Sequence, residues 1–65
     1  NKDSYDKAKY YLNISKYIDD NDCRYYYYLG LVLKNKGLTA EANKNFEKSL
    51  NLNPNYQPVK EELQI

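Results

Sequence analysis

The sequence predicts an all-α protein built from antiparallel helix-turn-helix repeats, and three observations point to this fold. Apolar residues recur every three or four positions along most of the 65 residues, which is the spacing of a helix with one buried side. Gly37 and Pro54 stand where that spacing is interrupted, as expected at helix ends. The first 22 residues also match the segment 34 positions later, which indicates a repeated helical unit.

The length and composition limit what the chain can be. Sixty-five residues form one small domain at most, and such a domain buries only about 60% of its unfolded surface. We expect it to be part of a longer protein, because it contains no Met and no signal-like segment. No apolar run approaches the ~20 residues that cross a bilayer, so no membrane segment is expected. The compartment is unknown, with a cytoplasmic location as the default.

The first predicted helix covers residues 4–18. A shift of 34 residues places Ala8 on Ala42 and Leu12 on Phe46, so this helix corresponds to the second helix of a preceding repeat. A polar turn at residues 19–22 follows, and we expect it to end this helix and to cap the next one. A calcium loop is disfavoured, because Arg24 occupies the place where such a loop needs glycine.

The second predicted helix, residues 23–36, is apolar nearly all round. We expect Gly30 to admit the next helix at short range and Gly37 to form a left-handed cap. The sides of this helix are assigned by spacing. Tyr26, Leu29, Gly30 and Leu33 should face the third helix, whereas Tyr25 and Val32 should face the first.

The third predicted helix, residues 38–53, should turn Ala42 and Phe46 inward, together with Thr39, Ser49, Leu50 and Leu52. Thr39 is the predicted cap, and Glu41 suits the positive end of the helix dipole. Pro58 is expected at the first position of a final helix. There, Val59 and Leu63 should lie over Phe46 and Leu50, with a polar outer side.

Several of these residues together resemble the tetratricopeptide repeat (TPR) family, whose unit is two antiparallel helices of about 34 residues. They are Tyr26, Leu29-Gly30, Gly37, Ala42, Phe46 and Pro54. The resemblance implies one TPR-like α-solenoid domain over residues 1–65. It divides into the second helix of a preceding repeat (1–22), a complete repeat (23–56) and the start of the next or capping helix (57–65). Asp20, Lys60 and Gln64 depart from the family pattern.

The resemblance implies a non-catalytic protein–protein interaction scaffold that binds a peptide or helix of a partner through its concave face. In the family, certain positions of the first helix of a repeat face this groove, and the matching residues here define the candidate binding face. The same residues form the side of the second helix for which the spacing predicts no partner within the chain. Its residues are Arg24, Tyr27, Tyr28, Leu31, Lys34 and Asn35. We expect Tyr27 and Leu31 to anchor the ligand and the two cations to attract acidic groups.

Other functions have less support in the sequence. The chain has no His and no glycine-rich phosphate loop, and we expect no catalytic residue, metal or cofactor. The net charge of +1 disfavours a dedicated nucleic-acid partner, although tyrosines near Lys and Arg can stack on single-stranded bases. Self-association through exposed repeat ends remains the main alternative.

Overall fold

A computed structural model describes the backbone of residues 2–15 and 22–65, and side chains within 5–14 and 22–65. It contains four helices: α1 (Lys2–Ser15), α2 (Cys23–Asn35), α3 (Thr39–Leu52) and α4 (Gln57–Leu63). Each helix packs against the next one along the chain. The described residues form no strand, so the all-α prediction is confirmed. None of the described helices is long and apolar enough to span a membrane.

The start of α2 agrees with the predicted polar cap. Asp22 is the N-cap residue, and its Oδ1 accepts a hydrogen bond of 2.9 Å from the backbone N–H of Arg24. This bond satisfies one of the amide groups that the first turn of a helix leaves unpaired. The rest of the predicted turn, and the predicted end of α1 at residue 18, lie outside the described residues.

The end of α2 is a Schellman motif centred on Gly37, as glycine at this position predicts. Gly37 has a φ of +83°, in the left-handed region that side chains disfavour. Its N–H donates to the carbonyl of Lys34 (3.0 Å), and the N–H of Leu38 donates to that of Leu33 (2.9 Å). The chain therefore reverses within three residues, which is typical of a helical hairpin.

The predicted capping role of Thr39 is wrong. Leu38 is the N-cap of α3, without a side-chain capping bond, and Thr39 is the first helical residue. The reason is the tight turn, since Leu38 both closes the Schellman motif and accepts the bond from Ala42 N–H at 2.9 Å. Two inward assignments fail as well, because Thr39 is exposed and Leu52 is 44% exposed.

The start of α4 differs by one residue from the prediction. Gln57 is its first residue and Tyr56 its N-cap, so Pro58 occupies the second position instead of the first. Its end carries a second left-handed residue, Gln64, with a φ of +61°. The N–H of Ile65 donates to the carbonyl of Lys60 at 3.0 Å, so this end is closed in the same way as α2.

The main core lies where α2, α3 and α4 meet. Ala42, Phe46 and Val59 are buried there in one cluster, as predicted for all three. Partly buried side chains complete it: Tyr27, Leu31, Leu33, Leu50, Tyr56 and Leu63. Gly30 lies directly against the ring of Phe46, so the close approach expected at this glycine is confirmed.

A buried polar contact ties the start of α2 to α3. Ser49 is fully buried, and its Oγ donates a hydrogen bond of 2.8 Å to the carbonyl of Cys23. Within the described part of the chain, every buried side-chain nitrogen and oxygen has a partner. The described core is therefore apolar apart from the hydroxyl of Ser49, which is hydrogen-bonded. Because this core holds no unpaired polar group, the surface of α2 is the candidate for a binding site.

Candidate binding face

The candidate binding face has partners within the chain, and the prediction that it has none is wrong. The face was assigned from the spacing within α2, which cannot show that α4 folds back beside α2 and that α1 reaches its other edge. Asn35 is exposed at the last residue of α2. The other five predicted residues contact side chains from these neighbouring segments or from the core, as described below.

Arg24 is held by the residue that caps its own helix. Its Nη2 lies 2.7 Å from Oδ2 of Asp22, and its Nε lies 3.2 and 3.1 Å from the two carboxylate oxygens. These hydrogen bonds hold the pKa of Asp22 below its usual value and raise the pKa of Arg24. The guanidinium carbon also lies 5.9 Å from the ring centre of Tyr11.

Lys34, at the other end of the face, is paired across helices. Its Nζ lies 2.8 Å from Oε1 of Glu62 in α4. Together with the Arg24–Asp22 pair, this contact means that both predicted cations already have an anionic partner. An acidic group of a ligand therefore has to compete with Asp22 or Glu62 for these largely exposed cations, and the expectation that they attract such a group stays a prediction.

Tyr27 and Leu31 lie between the core and the surface. The ring centre of Tyr27 is 6.3 Å from that of Phe46 and 5.6 Å from that of Tyr56. Leu31 packs on the same core. Burial, and secondarily the negative charge of Glu62, raises the pKa of Tyr27, while burial raises the pKa of Tyr56 to about 12. Both phenols are therefore neutral at physiological pH.

Tyr28 connects the face to α1. Its ring centre lies 4.7 Å from that of Tyr11 and 5.1 Å from that of Tyr27. The rings of Tyr11, Tyr28, Tyr27 and Tyr56, which we call the tyrosine row, thus follow one another from α1 across α2 to the N-cap of α4. All four are half-buried.

Four residues at this face were not identified from the sequence: Tyr11, Asp22, Tyr56 and Glu62. The sequence contains a signal for two of them, because a shift of 34 residues aligns Tyr28 with Glu62 and Asp22 with Tyr56. Tyr11 carries no comparable signal, since its ring is brought to the face by the packing of α1 on α2.

Other surfaces of the described chain carry shallow depressions and one free thiol. A shallow depression of about 560 Å³ opens between α1 and α2, lined by Lys9, Tyr10, Leu12, Asn13 and Val32. A second of about 380 Å³ lies on polar residues of α3. Among the described residues, no three His, Cys, Asp or Glu side chains are grouped to hold a metal ion. Cys23 is a free thiol whose Sγ accepts a long contact of 3.9 Å from Asn53.

Comparison with protein-family models, with curated proteins and with solved structures finds no match to this chain. The functional argument therefore depends on the geometry of the face itself.

Proposed function

We propose that this chain is a non-catalytic protein-interaction module of TPR-like helical hairpins, and that it binds a peptide or helix of a partner through the candidate binding face. The observation that carries the proposal is the tyrosine row. Four aromatic rings from three segments form one half-buried surface, and tyrosine is enriched at interfaces because it joins a large apolar ring to a polar group.

The charges at the face favour a protein partner over nucleic acid. Arg24 and Lys34 are both paired with carboxylates, so neither is a free positive charge for a phosphate backbone. Support for the TPR-like arrangement comes from the repeat spacing, the position of Gly30 against Phe46 and the left-handed cap at Gly37.

Selection from a random peptide library tests the proposal. We expect selected peptides to bind the native chain, and the change Tyr28→Ala to weaken that binding at least about tenfold, as for an interface anchor. Tyr10→Ala is the matched control, because Tyr10 is 69% exposed and lines the depression between α1 and α2, outside the tyrosine row. Circular dichroism checks that both variants keep their helices. A library that yields no peptide dependent on Tyr28 would contradict the proposal.

Self-association is the second candidate function, and exposed apolar residues of α1 favour it. Tyr10 and Ile14 are both exposed there, beside the depression between α1 and α2. Sedimentation separates the two functions. If the chain forms a dimer that Tyr10→Ala dissociates and Tyr28→Ala does not, α1 carries self-association while the candidate binding face stays accessible.

A further inference from the structure

The tyrosine row is a continuous set of rings at nearly even spacing. Successive ring centres from Tyr11 to Tyr56 are 4.7, 5.1 and 5.6 Å apart, and the rings are tilted by 42°, 52° and 87° to one another. One side of Tyr27 and Tyr56 packs on the core around Phe46, which fixes these rings in place. The surface that the row leaves to a ligand is therefore preorganised, which lowers the entropy lost on binding.

Three of the four hydroxyl groups of the row are available as hydrogen-bond donors, those of Tyr27, Tyr28 and Tyr56. Within the described part of the chain, no hydrogen bond is formed by the hydroxyls of Tyr27, Tyr28 and Tyr56, whereas that of Tyr11 donates to Asp22 at 3.4 Å. No buried side-chain oxygen there lacks a partner, so these three hydroxyls reach the surface. Because burial raises the pKa of Tyr27 and Tyr56, both keep their protons well above neutral pH.

The surface around the row is close to neutral. Asp22 compensates Arg24 at one end, and Glu62 compensates Lys34 at the other. A ligand that suits this surface presents flat apolar groups and hydrogen-bond acceptors, and it carries no net charge.

A proline-rich segment has these properties. Proline has no backbone N–H, and the polyproline II helix makes no internal hydrogen bonds, so its carbonyls are all free to accept. Aromatic-lined grooves are the usual receptors for this conformation. One turn of the helix advances about 9 Å, so a segment of several prolines is long enough to reach more than one ring of the row.

We propose that the tyrosine row binds a proline-rich segment in the polyproline II conformation, with proline rings on the tyrosines and peptide carbonyls accepting from their hydroxyls. This inference rests on the proposed function, since it names the class of partner for the same face. An amphipathic helix fits less well, because Leu31, the aliphatic residue of the face, packs on the protein's own core.

Titration with a capped ten-residue proline peptide tests the inference. The chain has nine tyrosines and no Trp, and the peptide has no aromatic group, so tyrosine fluorescence reports binding directly. We expect saturable binding that Tyr28→Leu weakens by about fivefold to tenfold, and Tyr28→Phe by a smaller factor through the lost hydroxyl. Tyr10→Leu, which changes an exposed tyrosine outside the row, should leave the affinity unchanged.

The comparison peptides are a capped glycine-serine peptide, a helical amphipathic peptide of the same length and oligo-dT. No binding of the proline peptide at about 1 mM, or binding unaffected by Tyr28→Leu, overturns the inference.

If library-selected peptides still depend on Tyr28, the proposed function stands and only the ligand class is wrong. If neither they nor the proline peptide bind, both fail. Preference for oligo-dT likewise overturns the inference. Should Tyr28→Leu fail to fold, Tyr28→Phe and amide chemical shifts of the native chain decide the site.

Discussion

Gly30 shows how a single missing side chain determines the distance between α2 and α3. A Cβ atom at this position would lie 2.5 Å from Cε1 and 2.7 Å from Cδ1 of Phe46. These distances are far shorter than any normal carbon–carbon contact. The Phe46 ring is 1% exposed, so a shift of this ring has to displace side chains that pack on it in the core. The close packing of the two helices therefore depends on glycine at residue 30.

We expect Gly30→Ala to lower the free energy of unfolding by about 1–2 kcal/mol, because the cost of overpacking exceeds the helix propensity gained. Urea denaturation followed by circular dichroism measures the change. The control is the same substitution in a Phe46→Leu background, where the smaller side chain relieves the contact and the cost should fall. An equal cost in both backgrounds would show that Phe46 is not the cause.

The shortest helix, α4, depends on tertiary contacts for its stability. Seven residues are too few for a stable isolated helix in water. Val59 is fully buried against Ala42 and Phe46, whereas Glu62 contributes the partly exposed ion pair to Lys34. Burial of an aliphatic side chain outweighs a surface ion pair, so Val59 is the main attachment of α4.

Val59→Ala is accordingly expected to destabilise the chain by about 2 kcal/mol, through lost burial and the cavity left behind. Glu62→Gln, which removes the ion pair and keeps the shape, should cost at most about 0.5 kcal/mol. Hydrogen exchange of the α4 amides should accelerate strongly in the first variant and little in the second. The reverse order would mean that the ion pair, not the core, holds α4.

Some helix ends can be predicted from the sequence, and others cannot. Gly37 and Pro54 were correct indicators, because each residue type has a backbone preference that depends on itself alone. Leu38 and Tyr56 cap their helices without a side-chain bond, and Gln64 adopts a left-handed conformation unusual for its type. Such ends are imposed by short connections and core packing, so no local pattern indicates them.

The same distinction applies to the whole molecule. Periodicity predicted the all-α fold, and it placed Ala42 and Phe46 in the core because each helix repeats its own pattern. It did not predict which residues meet the candidate binding face. Tyr11 and Glu62 reach α2 from other helices, and such contacts depend on the packing of whole elements. The tyrosine row is thus a tertiary feature.

The same tyrosines make the stability of the molecule dependent on alkaline pH. Burial raises the pKa of Tyr11 and Tyr27, and raises that of Tyr56 to about 12 from its ordinary 10.0. A group whose pKa is higher in the folded state contributes stability that is full below its unfolded pKa. The contribution of Tyr56 is therefore complete below about pH 10 and is lost as the pH rises towards 12.

We expect the chain to lose stability between pH 10 and 12, and Tyr56→Phe to lose less of it over that interval, because phenylalanine has no proton to release. Helical circular dichroism during urea denaturation at several pH values measures the difference. Tyr10→Phe is the control, since it removes the same hydroxyl group from a tyrosine that is 69% exposed and lies outside the tyrosine row. A Tyr56→Phe chain that is destabilised as steeply as the native one would show that partial burial does not raise the pKa of Tyr56 in the folded chain.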